Sequence, residues 1–227
     1  MGYTHYWHRP LNIPAERFRA IRFDFERLIL PLADFGVDLA GGLGEGLPVL
    51  TNDTIRFNGV RNCDHQSNDA ISIPFPTDDA CGIGPSTCAI QESSNELITR
   101  IRHRCCNGSC SYETFNFPRS MEEDDERESD RNGLFINFTK TAFRPYDVAV
   151  TAALLIAKRN LKDQFMVNSD GTDRQWSDAK RICQEALGYG AWFNIVEEEF
   201  EEQISGKGST RVGLLRTLVE IQPPSPS

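Results

Sequence analysis

From Val148 to Ala157 the chain reads VAVTAALLIA, apolar everywhere except Thr151. Pro145 stands just ahead of it, where a helix can begin because first-turn N–H groups lack partners anyway. A bilayer-crossing helix needs about 20 apolar residues, so this run predicts a buried helix packed between a sheet and another element. Its flanks agree. Leu134, Ile136 and Phe138 alternate with Phe135, Asn137 and Thr139, as in a strand buried on one face and partly on the other that ends at Lys140. Gln164 to Asn168 reads as a second strand that runs out into Ser169 and Asp170. Trp176, Ala179, Ile182, Cys183 and Leu187 mark a second helix opening near Asp173, with Gly188 placed to stop it. Polar residues thus collect where strands hand over to helices, the usual ligand position in open α/β sheets.

The remaining chain extends this pattern. Residues 2–8 are rich in strand formers, with Tyr3, His5 and Trp7 on one face and Thr4, Tyr6 and His8 on the other. After Pro14, the spacing of Phe18, Ile21, Phe25, Leu28 and Leu32 predicts an amphipathic helix ending near Pro31. Gly41, Gly42, Gly44 and Gly46 lie in a connection that matches no phosphate-loop pattern. Thr54 to Gly59 reads as a strand closed by a turn at Asn58-Gly59, and Glu113 to Phe117 as another. Ser93 to Arg104 has the pattern of a short helix, and Glu197 to Glu202 reads as part of a terminal helical region. The expectation is an α+β fold: a mixed β-sheet packed by three main helices, with a cysteine-rich insertion.

Residues 1–221 are expected to form one domain, with 60–112 as the cysteine-rich elaboration, 119–132 as an acidic solvated loop and 222–227 as a flexible tail. A net charge of −9 argues against a general nucleic-acid coat or a polybasic membrane surface, while leaving room for a local basic cleft. The N-terminus shows no signal-peptide pattern and no apolar run is long enough to span a membrane, so the expected location is cytoplasmic or otherwise intracellular.

Several segments resemble an uncharacterised protein group of phages, bacteria and fungi. They are GYTHYW at the start, the FNG of Phe57 to Gly59, Tyr112 to Phe115, TKTAFRPYD through Asp147, AVTAALLIAK and VNSDG. The resemblance covers most of the chain outside the cysteine-rich and acidic segments. It implies a shared compact fold and carries over no catalytic role.

The residues themselves offer a candidate site. Arg144 and Tyr146 flank Pro145 at a helix start, where unpaired backbone N–H groups favour an anion, and Lys140 adds a compact charge. With Tyr3, these form the expected ligand-binding set. A structural alternative is that Arg144 pairs with Asp147 or Asp170 and staples the fold. His5 is the candidate general base, with Glu113 and Asp170 completing an acid–base or metal site. Its alternative is a packed structural histidine. Ser169-Asp170-Gly171 also reads as an ordinary turn, and no GxSxG pattern marks Ser169 as a nucleophile.

Six of the seven cysteines fall in the elaboration. Cys81, Cys88, Cys106 and Cys110, with His103, supply enough nitrogen and sulfur for one structural zinc, although paired CxxC spacing is lacking. Disulfides and reduced thiols are the rival states. The function expected from these features is a binding or accessory protein with an anion-friendly cleft, recognising an anionic small molecule or a protein partner. The alternative is a small hydrolase or transferase acting on a phosphate-bearing metabolite or nucleotide.

Overall fold

The computed structural model describes residues 3–63, 70–72, 103–106, 108–121, 129–130, 132–203 and 210–221, with the backbone alone at 70–72, 103, 105, 200–203 and 210–212. Within them the fold is α+β. The main sheet has the order β10-β11-β9-β1-β8, from β1 (Thr4–Arg9), β8 (Phe135–Lys140), β9 (Met166–Ser169), β10 (Phe193–Gln203) and β11 (Thr210–Glu220), each pairing antiparallel. A second sheet centres on β4 (Thr54–Gly59), which pairs antiparallel with β2 (Leu39–Ala40), β3 (Val49–Leu50) and β7 (Phe115–Pro118). β5 (Ala70–Ser72) and β6 (His103–Cys105) form a two-stranded pair that completes the strands among the described residues.

Among the described residues four helices cover this framework: α1 (Ala15–Glu26), the short α2 (Ile29–Asp34), α3 (Asp147–Leu161) and α4 (Ser177–Leu187). The expected single helix reaching Pro31 is broken after Glu26. Pro31 instead occupies the first turn of α2, where its missing N–H removes no helical bond. Helix α3 touches α1, α4 and β9, and every residue from Val148 to Ala157 is buried. Thr151 tolerates that setting because its hydroxyl donates to the Asp147 carbonyl at 2.8 Å.

One continuous core joins the layers. Trp7, Val167, Phe193, Ile195 and Leu218 project inward from the main sheet. Phe57, Phe115 and Phe117 do so from the second, and rings link them: Phe25 to Phe57 at 4.9 Å, Phe57 to Phe115 at 4.9 Å, and Trp7 to Phe115 at 5.4 Å. Buried with them is Arg9, whose guanidinium donates to the carbonyls of Pro118 and Arg119 instead of to a carboxylate. Helix α4 ends at Gly188, which takes the left-handed φ of 79° that favours glycine.

Three local expectations are corrected. Asn58 and Gly59 are not a turn. They lie inside β4, where the Asn58 amide donates to the carbonyls of Gly42 and Tyr112 and its oxygen accepts from the N–H of Gly59 and Tyr112. Glu197 to Glu202 belong to β10 and not to a helix. Cross-strand pairing over eleven residues with β11 outweighs the helix propensity of glutamate there. Arg104 lies in β6, so the helix expected over 93–104 does not reach its proposed end, and its residues before 103 lie outside the described residues. Residues 122–128 and 131 of the acidic loop, and the tail, 222–227, also lie outside them.

Candidate functional site

The start of β1, the ends of β8 and β9 and the first turn of α3 meet at one end of the main sheet. Register places Thr4 opposite Lys140 and His5 opposite both Thr139 and Ser169, so sequence-distant polar residues become neighbours. At their centre is a buried hydrogen-bonded line. His5 Nδ1 lies 2.9 Å from Ser169 Oγ, and His5 Nε2 lies 2.8 Å from Asp147 Oδ1. The same carboxylate oxygen accepts from Thr141 Oγ1 at 2.6 Å.

Counting hydrogens assigns the tautomer. Ser169 Oγ accepts from the Gly171 N–H at 2.8 Å and from Trp176 Nε1–H at 3.2 Å, which occupies both lone pairs. Its own hydrogen therefore goes to His5 Nδ1, and His5 carries its proton on Nε2, donating to Asp147. His5 is also packed edge-on by Tyr3 at 5.2 Å and by Trp176 at 5.4 Å.

Arg104 closes the other side of Asp147. Its Nε and one Nη lie 3.4 Å from Asp147 Oδ2, while Nη1 donates to Asp178 at 2.5 Å and Nη2 to the Gln175 carbonyl at 3.0 Å. Burial by itself disfavours the arginine's charge, and Asp178 and then Asp147 outweigh it, raising its pKa. Burial likewise works against the Asp147 carboxylate. His5, with Arg104 and the Thr141 hydroxyl, overcomes that and holds its carboxyl below the ordinary range.

The loop from Thr141 to Tyr146 is unusual in backbone. Ala142 and Phe143 take φ values of 49° and 54°, a left-handed region that costs non-glycine residues roughly 1–3 kcal/mol each. The loop is held there by the N–H groups of Thr141 and Ala142, both donating to the Tyr3 carbonyl. This conformation puts the Phe143 ring 4.9 Å from Tyr3 and 4.8 Å beneath the Arg104 guanidinium.

Arg144 follows directly. Its Nε and Nη1 are shielded from water and find no hydrogen-bond partner among the described residues. The staple considered between Arg144 and Asp147 is therefore not formed; Arg104 takes that place. Tyr3 also carries a shielded hydroxyl without a partner among the described residues, its pKa pushed up by burial and then by the charge of Asp147. Lys140 is exposed, and Tyr146 is buried with its hydroxyl donating to the Glu113 carbonyl at 2.6 Å.

The two remaining candidate acids brace the strand ends. Glu113 Oε2 accepts from the Lys140 N–H at 2.8 Å, and Asp170 Oδ2 from the Thr4 N–H at 2.9 Å. Sequence reasoning missed Arg104, Thr141 and Asp178. Arg104 sits in the cysteine-rich elaboration, at the end of a stretch that reads as a short helix and with no motif tying it to Asp147, and Asp178 in the first turn of α4 looks like any helix-start acid. A surface groove of about 500 Å³ lies elsewhere, lined by Lys158, Arg159, Lys162 and Glu220 among others. Arg159 and Lys162 both pair with Glu220 there, and Lys158 donates to the carbonyls of Lys162 and Phe165.

The cysteines form a second cluster. The sulfurs of Cys63, Cys106 and Cys110 lie within 4.8 Å of one another. Two members, Cys106 and Cys110, were expected from spacing, and Cys63 was not. Cys81 and Cys88 lie outside the described residues, as does the side chain of His103. Cys183 stands apart, buried in α4. Compared with known proteins, the chain matches no family model, no curated protein and no solved structure.

Proposed function

We propose that this chain is a binding or accessory protein that recognises an anionic ligand, with Arg144 as the principal anchor and Lys140 and Tyr3 beside it. The observation that carries this reading is the pair of Arg144 N–H donors withdrawn from water without an acceptor among the described residues. An unsatisfied buried donor costs about 1–3 kcal/mol, more when charged, and a phosphate or carboxylate matches the planar fork of a guanidinium. The strained Ala142-Phe143 step supports it, since backbone strain tends to be kept where it aims a functional side chain. The test is calorimetric titration with inorganic phosphate, AMP and citrate. Arg144→Ala is expected to weaken the best of them by about 10- to 150-fold, the loss of a charge-assisted contact of roughly 1.5–3 kcal/mol. Arg144→Lys should recover only part, because the charge returns without the fork. Undiminished binding in a natively folded R144A protein would remove Arg144 from the role.

A small hydrolase or transferase is the second reading, favoured by the Ser169–His5–Asp147 line. It ranks lower because both lone pairs of Ser169 are engaged by Gly171 and Trp176, leaving none directed at a substrate. Turnover of phosphate-ester or carboxyl-ester substrates that disappears in Ser169→Ala would reverse the order.

A further inference from the structure

We propose that Cys63, Cys106 and Cys110 hold a zinc ion, and that this ion anchors the Arg104 segment over the buried polar centre. It is a separate claim from anion recognition, resting on other residues.

The geometry comes first. Tetrahedral zinc–thiolate bonds of about 2.3 Å place ligand sulfurs about 3.8 Å apart. Cys63 Sγ and Cys106 Sγ are 3.5 Å apart, and all three sulfurs fall within 4.8 Å of one another. A disulfide requires about 2.05 Å, so the spacing suits three ligands of one ion better than a bonded pair. Donor chemistry agrees, because an all-sulfur set selects soft or borderline metals such as zinc over magnesium or calcium. Cys106 and Cys110 are buried, and among the described residues no carboxylate belongs to this cluster.

The scaffold around the sulfurs is built. Ser109 N–H donates to the Cys106 carbonyl at 3.0 Å, closing a turn in which Gly108 takes φ of 84°. That turn brings Cys106 and Cys110 to one side. The Cys110 N–H then donates to the Val60 carbonyl at 3.1 Å, drawing the turn against the chain leaving β4. The approach is so close that a Cβ on Gly59 would lie 2.1 Å from the Cys110 carbonyl oxygen. Asn58 clasps Tyr112 from the same strand. These contacts position the ligands through backbone, independently of any ion.

The consequence concerns Arg104, two residues before Cys106. Its guanidinium bridges Asp147 and Asp178, yet its own strand β6 pairs only with the short β5 among the described residues. A zinc joining Cys106 to Cys63, 43 residues away in sequence, restrains that strand covalently where hydrogen bonding is sparse. On binding, each Zn–S bond forms as one thiol proton leaves to solvent; a fourth donor completes the tetrahedron, and no oxidant is involved.

Elemental analysis of full-length protein purified without added metal or chelator is the first measurement. About one zinc per chain is expected, and less than about 0.2 would overturn the site, because structural zinc is nearly stoichiometric. Cobalt(II) should replace it and show the visible bands and sulfur charge transfer of a tetrahedral thiolate centre. Cys63→Ser and Cys106→Ser should lose most of the metal, and Cys183→Ala should keep it. Equal loss in the Cys183 variant would refute the assignment. Should the cluster variants not fold, wild-type alkylation decides: Cys63, Cys106 and Cys110 should gain reactivity together when a chelator is added. Unchanged reactivity, or an intact mass showing a disulfide among these three, would also overturn it.

Discussion

Asp147→Asn is the sharpest test of the buried polar centre, because it changes one oxygen to nitrogen and almost no volume. Asp147 Oδ1 accepts from His5 Nε2 at 2.8 Å and Thr141 Oγ1 at 2.6 Å, while Oδ2 faces two Arg104 nitrogens at 3.4 Å. An amide has one accepting and one donating end. Kept in the native orientation, the new NH₂ points at the Arg104 donors; flipped, it points at the donors of His5 and Thr141. Neither orientation is satisfied, and Arg104 loses one of its two carboxylates. Removing one partner from a buried ion pair costs about 3–5 kcal/mol, of which the neutral amide recovers a part, so about 3 kcal/mol is expected. For a chain of this size that lowers Tm by about 6–12 °C. Urea unfolding followed by circular dichroism measures it directly. Asp147→Ala with Arg104→Ala should be less destabilising than the two single changes added together, since the second removal relieves a stranded charge. A loss under about 1 kcal/mol in a natively folded D147N protein, or strict additivity in the cycle, would show that Asp147 does not organise the centre.

Acid should act through the same carboxylate. Its folded pKa lies below the ordinary 3.8, so the unfolded chain takes up the proton first; the stabilisation is complete above that value and is lost as pH falls through the folded one. The urea midpoint of wild type should therefore fall more steeply than that of D147N below about pH 4, and parallel curves would refute the assignment. Gly59→Ala should push the 106–110 turn away from β4, since its Cβ would meet the Cys110 carbonyl at 2.1 Å; overpacking of this kind costs roughly 1–3 kcal/mol. Denaturant melts would show it, and an unchanged midpoint would count against the close approach. Gly188→Ala, with open space around its Cβ, should cost only the strain of φ 79°, about 1 kcal/mol. A larger loss on thermal melting would mean that more than backbone conformation is at stake there.

Much of the framework is legible in residue order. The all-round apolar α3 and the stop at Gly188 are local patterns, dictated by which faces must leave water and which dihedrals a side chain permits. The alternation of β8 does mark a strand, but its apolar residues Ile136 and Phe138 are exposed and Thr139 is buried, the reverse of what the pattern predicts. The inward face of β1, carrying His5 and Trp7, follows from the same period of two. Local patterns fail where a distant partner decides. Glutamates at 197–199 do not by themselves announce a strand; β11 across the sheet makes them one. Asn58-Gly59 has the composition of a turn and serves instead as a clasp between loops.

The polar centre divides in the same way. His5, Arg144 and Tyr146 stand out in the chain because of residue type beside a strand end or a helix start. That Arg104 and not Arg144 reaches Asp147, that Ser169 completes the bonding of His5, and that Cys63 joins Cys106 and Cys110 are facts of register and close packing alone. The physical reason is range: secondary structure follows from neighbours within a few residues, whereas a buried charge is satisfied by whichever partner the folded chain brings within hydrogen-bonding distance, however far away it lies in sequence.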